Sequence, residues 1–315
     1  MGFDLIWMRP HAPYMPIATV GLLTAMSDAG LDATAVWRAD PSGEILEIRT
    51  EASVEQTAQA IVDAPWPQLD RIWPGQKVGQ AIKPMLAATP DPARTLRDLR
   101  RLVDAQDADA LRAAEPRLLG ERRLLRALVT DAVLDDSDVP SRSRLLRGVK
   151  ADLSGIAEKL PLKVPDLVGE LIDGPTWRNG KSGRGLGLLP EVQTFGGTTG
   201  RKPSDVGSHS VLLYRLLWLG ILALHPVGVR RGSQRIVGGP LFSDLVDGEP
   251  TLSWPTWSFP VGARELARLL DLAAIHLDRP DPRWLAARGI TSVHRASSVP
   301  INSMIGVFRW GERVA

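Results

Sequence analysis

The chain has 315 residues, with 38 Lys and Arg against 36 Asp and Glu, 44% hydrophobic residues, 5% aromatics and no cysteine. That length fits two domains or one elaborate one, and the apolar fraction suffices for a packed core, which excludes wholesale disorder. The lack of cysteine excludes disulfides, thiolate nucleophiles, iron–sulfur clusters and sulfur-ligated zinc, and fits a reducing compartment.

Residues 2–8 have the pattern of a buried strand, and Ile17 to Ala29 that of a helix closed by Gly30 as a left-handed cap. TAVWRA (34–39) and EILEIRT (44–50) flank the turn sequence DPSG, which predicts a hairpin. Ser53 is placed to cap a helix running to Val62, and the Pro- and Trp-rich stretch 64–76 is expected to be loop. From 91 to 173, Leu and Val recur at helical spacing among Arg and Asp, which predicts a helical subdomain of three or four helices. Residues 174–208 form a basic, Gly-rich segment without helix or strand pattern, and irregular segments of that length are usually functional or disordered. A very apolar helix is expected over 209–224, then short strands at VGVR, SQRIVGG and TLSWPTW, a helix over 262–277, and two alternating strands, GITSVHRASS and SMIGVFRWGE. The expected class is α+β, with N-terminal (1–90) and C-terminal (209–315) mixed α/β portions flanking the central helical insertion.

The N-terminal stretch lacks the basic start, apolar core and cleavage site of a signal peptide, and Ile6 stands where a myristoylation signal needs Ser or Thr. Arg215 interrupts the most apolar run, 211–227, so a buried helix is expected there rather than a membrane span, and the protein is expected in the cytoplasm.

Complete catalytic motifs are missing. GPTWRNGKS (174–182) ends like a phosphate-binding loop, but five residues separate Gly174 from Gly180 where the motif needs four, and no apolar strand precedes it. GGTTGRKPSD (196–205) resembles the phosphate loop of acyl-adenylating enzymes, with Lys202 and Pro203 reversed and Ser204 in place of Gly. The histidines His11, His209, His225, His276 and His294 form no i, i+3 or i, i+4 pair, and no GxSxG elbow occurs. His209 and Ser210 sit where capping of a helix is expected, and the acidic run LDDSD (134–138) lacks the Gly and Glu of a calcium loop. No catalysis, cofactor or metal is expected.

Charge is distributed unevenly. Residues 176–240 carry nine basic side chains (Arg178, Lys181, Arg184, Arg201, Lys202, Arg215, Arg230, Arg231 and Arg235) against Glu191 and Asp205, a balance of +7. The remaining chain has 29 basic and 34 acidic residues, a balance of −5. Basic groups on Gly-rich loops can approach a phosphate backbone closely and give salt-dependent affinity without reading sequence. The Arg guanidinium binds phosphate bidentately and can read guanine, Asn179 can pair with adenine, and Trp177 can stack or wedge. Alternatively, these arginines neutralise acidic surface in the same chain or in a partner.

The apolar start followed by PIATVGLLTAM and the Trp-containing strand AVWRA, and then SVLLYRLLWLGILALHPVGVRRG, LSWPTWSFPVG and GITSVHRASS…FRWGE, resemble the large subunits of type I CRISPR effector complexes (Cascade), nearest the compact ones of the I-U/I-G branch. The likeness covers about half the chain and leaves 91–173 unmatched. It implies a non-enzymatic DNA-binding subunit, partnered by other effector subunits, crRNA, double-stranded target DNA and a helicase-nuclease, with no membrane. Such a subunit inspects the motif flanking the target (PAM) and helps open the duplex. On residue chemistry, the basic loop 176–202, with Arg201 and Lys202, is the candidate for duplex contact: Arg178, Asn179, Lys181 and Arg184 for reading the groove, Trp177 as a wedge, and Arg230, Arg231 and Arg235 for phosphates. The alternatives are an enzyme using the Gly-rich loop for a nucleotide or anionic substrate, and a structural protein docking on an acidic subunit.

Overall fold

Two apolar helices that the sequence separates by nearly two hundred residues pack against each other in the hydrophobic core. The computed structural model describes residues 2–41, 43–64, 163–176, 178–179, 208–224, 227–231, 234–238, 242–246, 249–302 and 305–315. Most of the expected helical subdomain (91–173) and most of the Gly-rich segment (174–208) therefore lie outside the described residues.

Helix α1 (Met15–Asp28) starts two residues before the expected Ile17, because Pro16 stands in its first turn, where a missing N–H costs nothing. It ends in a Schellman motif: Gly30, at φ +74°, donates to Ser27 O at 3.1 Å, and Leu31 donates to Met26 O at 2.9 Å. Residues 15–23, Ala25 and Met26 are buried, so α1 shows almost no polar face and is enclosed on all sides. Helix α4 (Val211–Leu224) is its main neighbour. A Cβ on Gly21 would lie 2.0 Å from Leu216 O, and one on Gly220 would lie 1.9 Å from Ile17 O. Glycine at both positions lets the two backbones touch.

The N-terminal sheet is antiparallel in the order β1 (Gly2–Leu5), β3 (Gly43–Thr50), β2 (Ala33–Asp40). Asp40 pairs with Gly43 across the predicted hairpin turn. Strand β1 is shorter than expected: the chain turns after Leu5, and the Trp7 indole donates to Leu171 O at 3.0 Å, away from the sheet. Helix α2 (Val54–Asp63) opens with a capping box in which Ser53 and Gln56 satisfy each other's backbone N–H groups. Helix α3 (Val164–Asp173) packs beside it.

Strands β4 (Arg178–Asn179) and β5 (Ser208–His209) form a short pair ahead of α4. After α4 come the hairpin β6 (Val227–Arg231) and β7 (Gln234–Gly238), then β8 (Phe242–Val246) and β9 (Glu249–Trp257). The expected helix 262–277 divides into α5 (Ala263–Leu270) and a 3₁₀ turn at Ala273–His276. The His276 ring, through Nε2, lies 3.0 Å from Leu270 O and helps terminate α5. The short α6 (Pro282–Ala286), absent from the sequence-based reading, precedes β10 (Ile290–Asn302), β11 (Ile305–Phe308) and β12 (Glu312–Arg313). Strands β11, β10, β9 and β8 pair in that order, with β12 also on β10.

The two sheets are joined through β2. Ala35 exchanges two backbone hydrogen bonds with Val261, and Trp257 Nε1 donates to Ala35 O at 2.8 Å. Residues 2–64 and 208–315 thus contribute to one continuous hydrophobic core. The class is α+β, as the sequence implies.

Candidate nucleic-acid interface

Helix α4 organises the basic part of the chain. Ser210 is its N-cap: the hydroxyl accepts from Leu213 N at 3.1 Å and donates to Glu170 Oε2 at 2.8 Å. The same carboxylate oxygen accepts from Leu212 N at 3.4 Å. Glu170 is only 2% exposed, and a buried carboxylate at a helix N-terminus is favoured by the orphan N–H groups and the helix dipole. This contact ties α3 to the start of α4 and so closes the base of the Gly-rich segment. Inside that base, β4 and β5 form a neck, with Arg178 opposite His209 and Asn179 opposite Ser208. Residues 180–207 connect the two sides of the neck.

One turn further along α4, Arg215 is 5% exposed. Its guanidinium donates to Ile61 O at 3.1 Å, to Val62 O at 3.3 Å and to Ala64 O. These are the orphan carbonyls at the end of α2, so the cation caps that helix from inside the core. Burial pushes its pKa down to about 10, which still leaves it charged at neutral pH. Arg215 counts toward the +7 of residues 176–240, but the fold consumes it internally. Without Arg215, the segment's balance is eight basic against two acidic residues.

The hairpin β6–β7 brings three of the candidate residues together. Its register places Arg230 opposite Arg235 and Arg231 opposite Gln234, with Gly232 and Ser233 between the strands. Three arginines therefore stand at the closed end of a ribbon that pairs with no third strand among the described residues. A two-stranded ribbon is narrow enough for the DNA major groove. Of the remaining candidates, Arg178 and Asn179 lie at the neck, whereas Trp177, Lys181, Arg184, Arg201 and Lys202 fall outside the described residues.

Several arginines elsewhere in the framework are occupied. Arg38 pairs with Asp4 and Asp40, Arg49 with Glu47, and Arg295 donates to Leu277 O and Ser253 Oγ. Among the described residues, no group of three His, Asp or Glu side chains could hold a metal ion, and no helix is long and apolar enough to cross a membrane.

Sequence reasoning identified Ser210 as a cap but missed its partner. Glu170 shares a helical face with the buried Leu167 and Leu171, and a carboxylate on an apolar face was the available signal. No known family matches the sequence, and no curated protein is similar to it.

Proposed function

We propose that this chain is a non-catalytic, DNA-binding large subunit of a crRNA-guided surveillance complex in the cytoplasm. In this role it contacts the duplex that flanks the target, helps open the strands and presents them to a helicase-nuclease. The observation that carries the DNA-binding part is the hairpin register, which gathers Arg230, Arg231 and Arg235 at one ribbon end. The charge surplus of the adjoining segment supports it, because those cations have few carboxylates nearby in sequence to neutralise them. The assignment to a crRNA-guided complex rests on the sequence resemblance.

Arginine at the ribbon end suits phosphate contact: the planar fork makes two parallel hydrogen bonds to one phosphate and stays charged at every accessible pH. The neck formed by β4 and β5 would hold the ends of the Gly-rich segment while its middle follows the DNA surface. Duplex binding measured across a salt series tests the proposal. Replacing Arg230, Arg231 and Arg235 by Ala should weaken binding and flatten the dependence of log K on log salt by about 0.9 per lost phosphate contact. A slope and affinity unchanged both in that variant and in one carrying Arg178, Lys181 and Arg184 as Ala would refute it. Co-purification with crRNA-containing subunits tests the assembly.

A further inference from the structure

A second candidate site lies where the segment after β1 meets the last strands. Trp310 is 37% exposed, whereas three of the chain's ten tryptophans rank among its largest fully buried side chains. Its ring lies 4.9 Å from the His11 ring, tilted by 54°. Arg9 and Arg309 flank this pair in sequence, Arg313 follows three residues after Trp310, and all three arginines are exposed. Among the described residues none of the three makes an ion pair, and Glu312 is the single carboxylate side chain within 309–315.

The pair is held in place from below. Gly311 donates to His11 O at 2.7 Å, which fixes the two aromatic segments to each other. A Cβ on Gly311 would lie 2.6 Å from the Trp254 ring, so glycine lets the backbone approach that indole closely. Trp254 in turn donates to Pro10 O at 2.7 Å and stacks on His294. Arg313 is anchored by the carbonyls of Thr291 and Ala315, each at 3.2 Å. The local field is positive: after burial, the charge of Arg9 holds the His11 pKa below its usual value, and those of His11 and Arg313 do the same to His294.

We propose that Trp310, supported by His11 and rimmed by Arg9, Arg309 and Arg313, is a stacking platform for an unpaired base of single-stranded nucleic acid. An exposed indole offers a π-face that any base can stack on, and neighbouring guanidinium groups hold the phosphates on either side. Preorganisation by Gly311 and Trp254 means that little ordering accompanies binding. The site uses none of the hairpin residues, so it goes beyond the duplex contact proposed above and can stand or fall separately.

Fluorescence anisotropy of labelled oligothymidylate, with a duplex of the same length in parallel, tests it on the full chain. Trp310→Ala should weaken oligothymidylate binding by on the order of 10-fold, the loss typical of one stacked base, and leave duplex affinity unchanged. Trp310→Phe should retain most of the affinity. Should Trp310→Ala fail to fold, Arg9→Ala combined with Arg309→Ala changes only exposed side chains and should reduce oligothymidylate affinity and its salt dependence. The proposal is overturned if the wild-type chain does not bind oligothymidylate, or if the folded variants bind it as the wild type does. Loss of duplex binding in the hairpin variant, with oligothymidylate binding intact, bears on the hairpin alone.

Discussion

Arg215 and Arg230 lie fifteen residues apart in one basic stretch, yet they stand on different elements, a core helix and a two-stranded ribbon. Arg215 belongs to the packed framework: it sits inside the core, and its donors are taken by three carbonyls at the end of α2. Arg230 belongs to a two-stranded ribbon, facing Arg235 across the ladder. In the framework, a charge is tolerated because carbonyls at a helix end accept from Nε and one terminal nitrogen of its guanidinium. Along the ribbon, like charges are brought into register, which costs energy in the absence of an anion. Composition treats these charges alike, whereas its hydrogen-bond partners mark Arg215 as a charge used for folding.

If that contrast is correct, Arg215→Ala should be the most damaging single change. It leaves several buried carbonyls without a donor and opens a cavity, so the chain should lose about 4 kcal/mol in a urea or thermal melt. A loss under about 1 kcal/mol would mean that the clamp on α2 is not structural. The next effect concerns pH. Burial, with the charges of His11 and Arg313, pushes His294 down to about 4. The folded state thus keeps this ring neutral while the unfolded chain takes up a proton below its usual pKa near 6.5. Stability from this group is complete above about 6.5 and disappears as the pH falls to about 4, a loss of roughly 3 kcal/mol. His294→Gln should flatten the stability–pH curve over that window.

Gly220→Ala places a methyl group against Ile17 O and should separate α1 from α4, at a cost of about 2 kcal/mol. An unchanged melting temperature would show that the helices are not in backbone contact. The smallest effect on stability is expected on the ribbon. Replacing Arg230, Arg231 and Arg235 by Ala should change stability by less than about 0.5 kcal/mol, because the register sets Arg230 opposite the like charge of Arg235. A collapse of the fold in that variant would erase the distinction between the two regions.

Much of the framework was legible from the chain. Periodicity located α1, α2 and α4, the DPSG turn located the β2–β3 hairpin, and the Ser53 cap was read directly. Boundaries failed where a tertiary contact ended an element early. Strand β1 stops because Trp7 turns toward α3, and α5 stops where the His276 ring reaches the Leu270 carbonyl. The candidate interface was only partly legible. Sequence showed a basic surplus, but register decided that Arg230 and Arg235 are opposed, and the aromatic pair His11–Trp310 joins positions 299 residues apart in number.

The sequence by itself determined the α+β class, the two apolar helices and the uneven placement of charge, since these follow from local pattern and composition. Tertiary structure decided that Arg215 serves the fold. Arg215 looks like its neighbours in the chain, and only the arrival of the α2 carbonyls beside it turns a cation into part of the core. Glu170 and Ser210 likewise become the base of the Gly-rich segment only once α3 and α4 meet. The reason is physical: burial and hydrogen-bond satisfaction depend on groups distant in sequence, which no local pattern encodes.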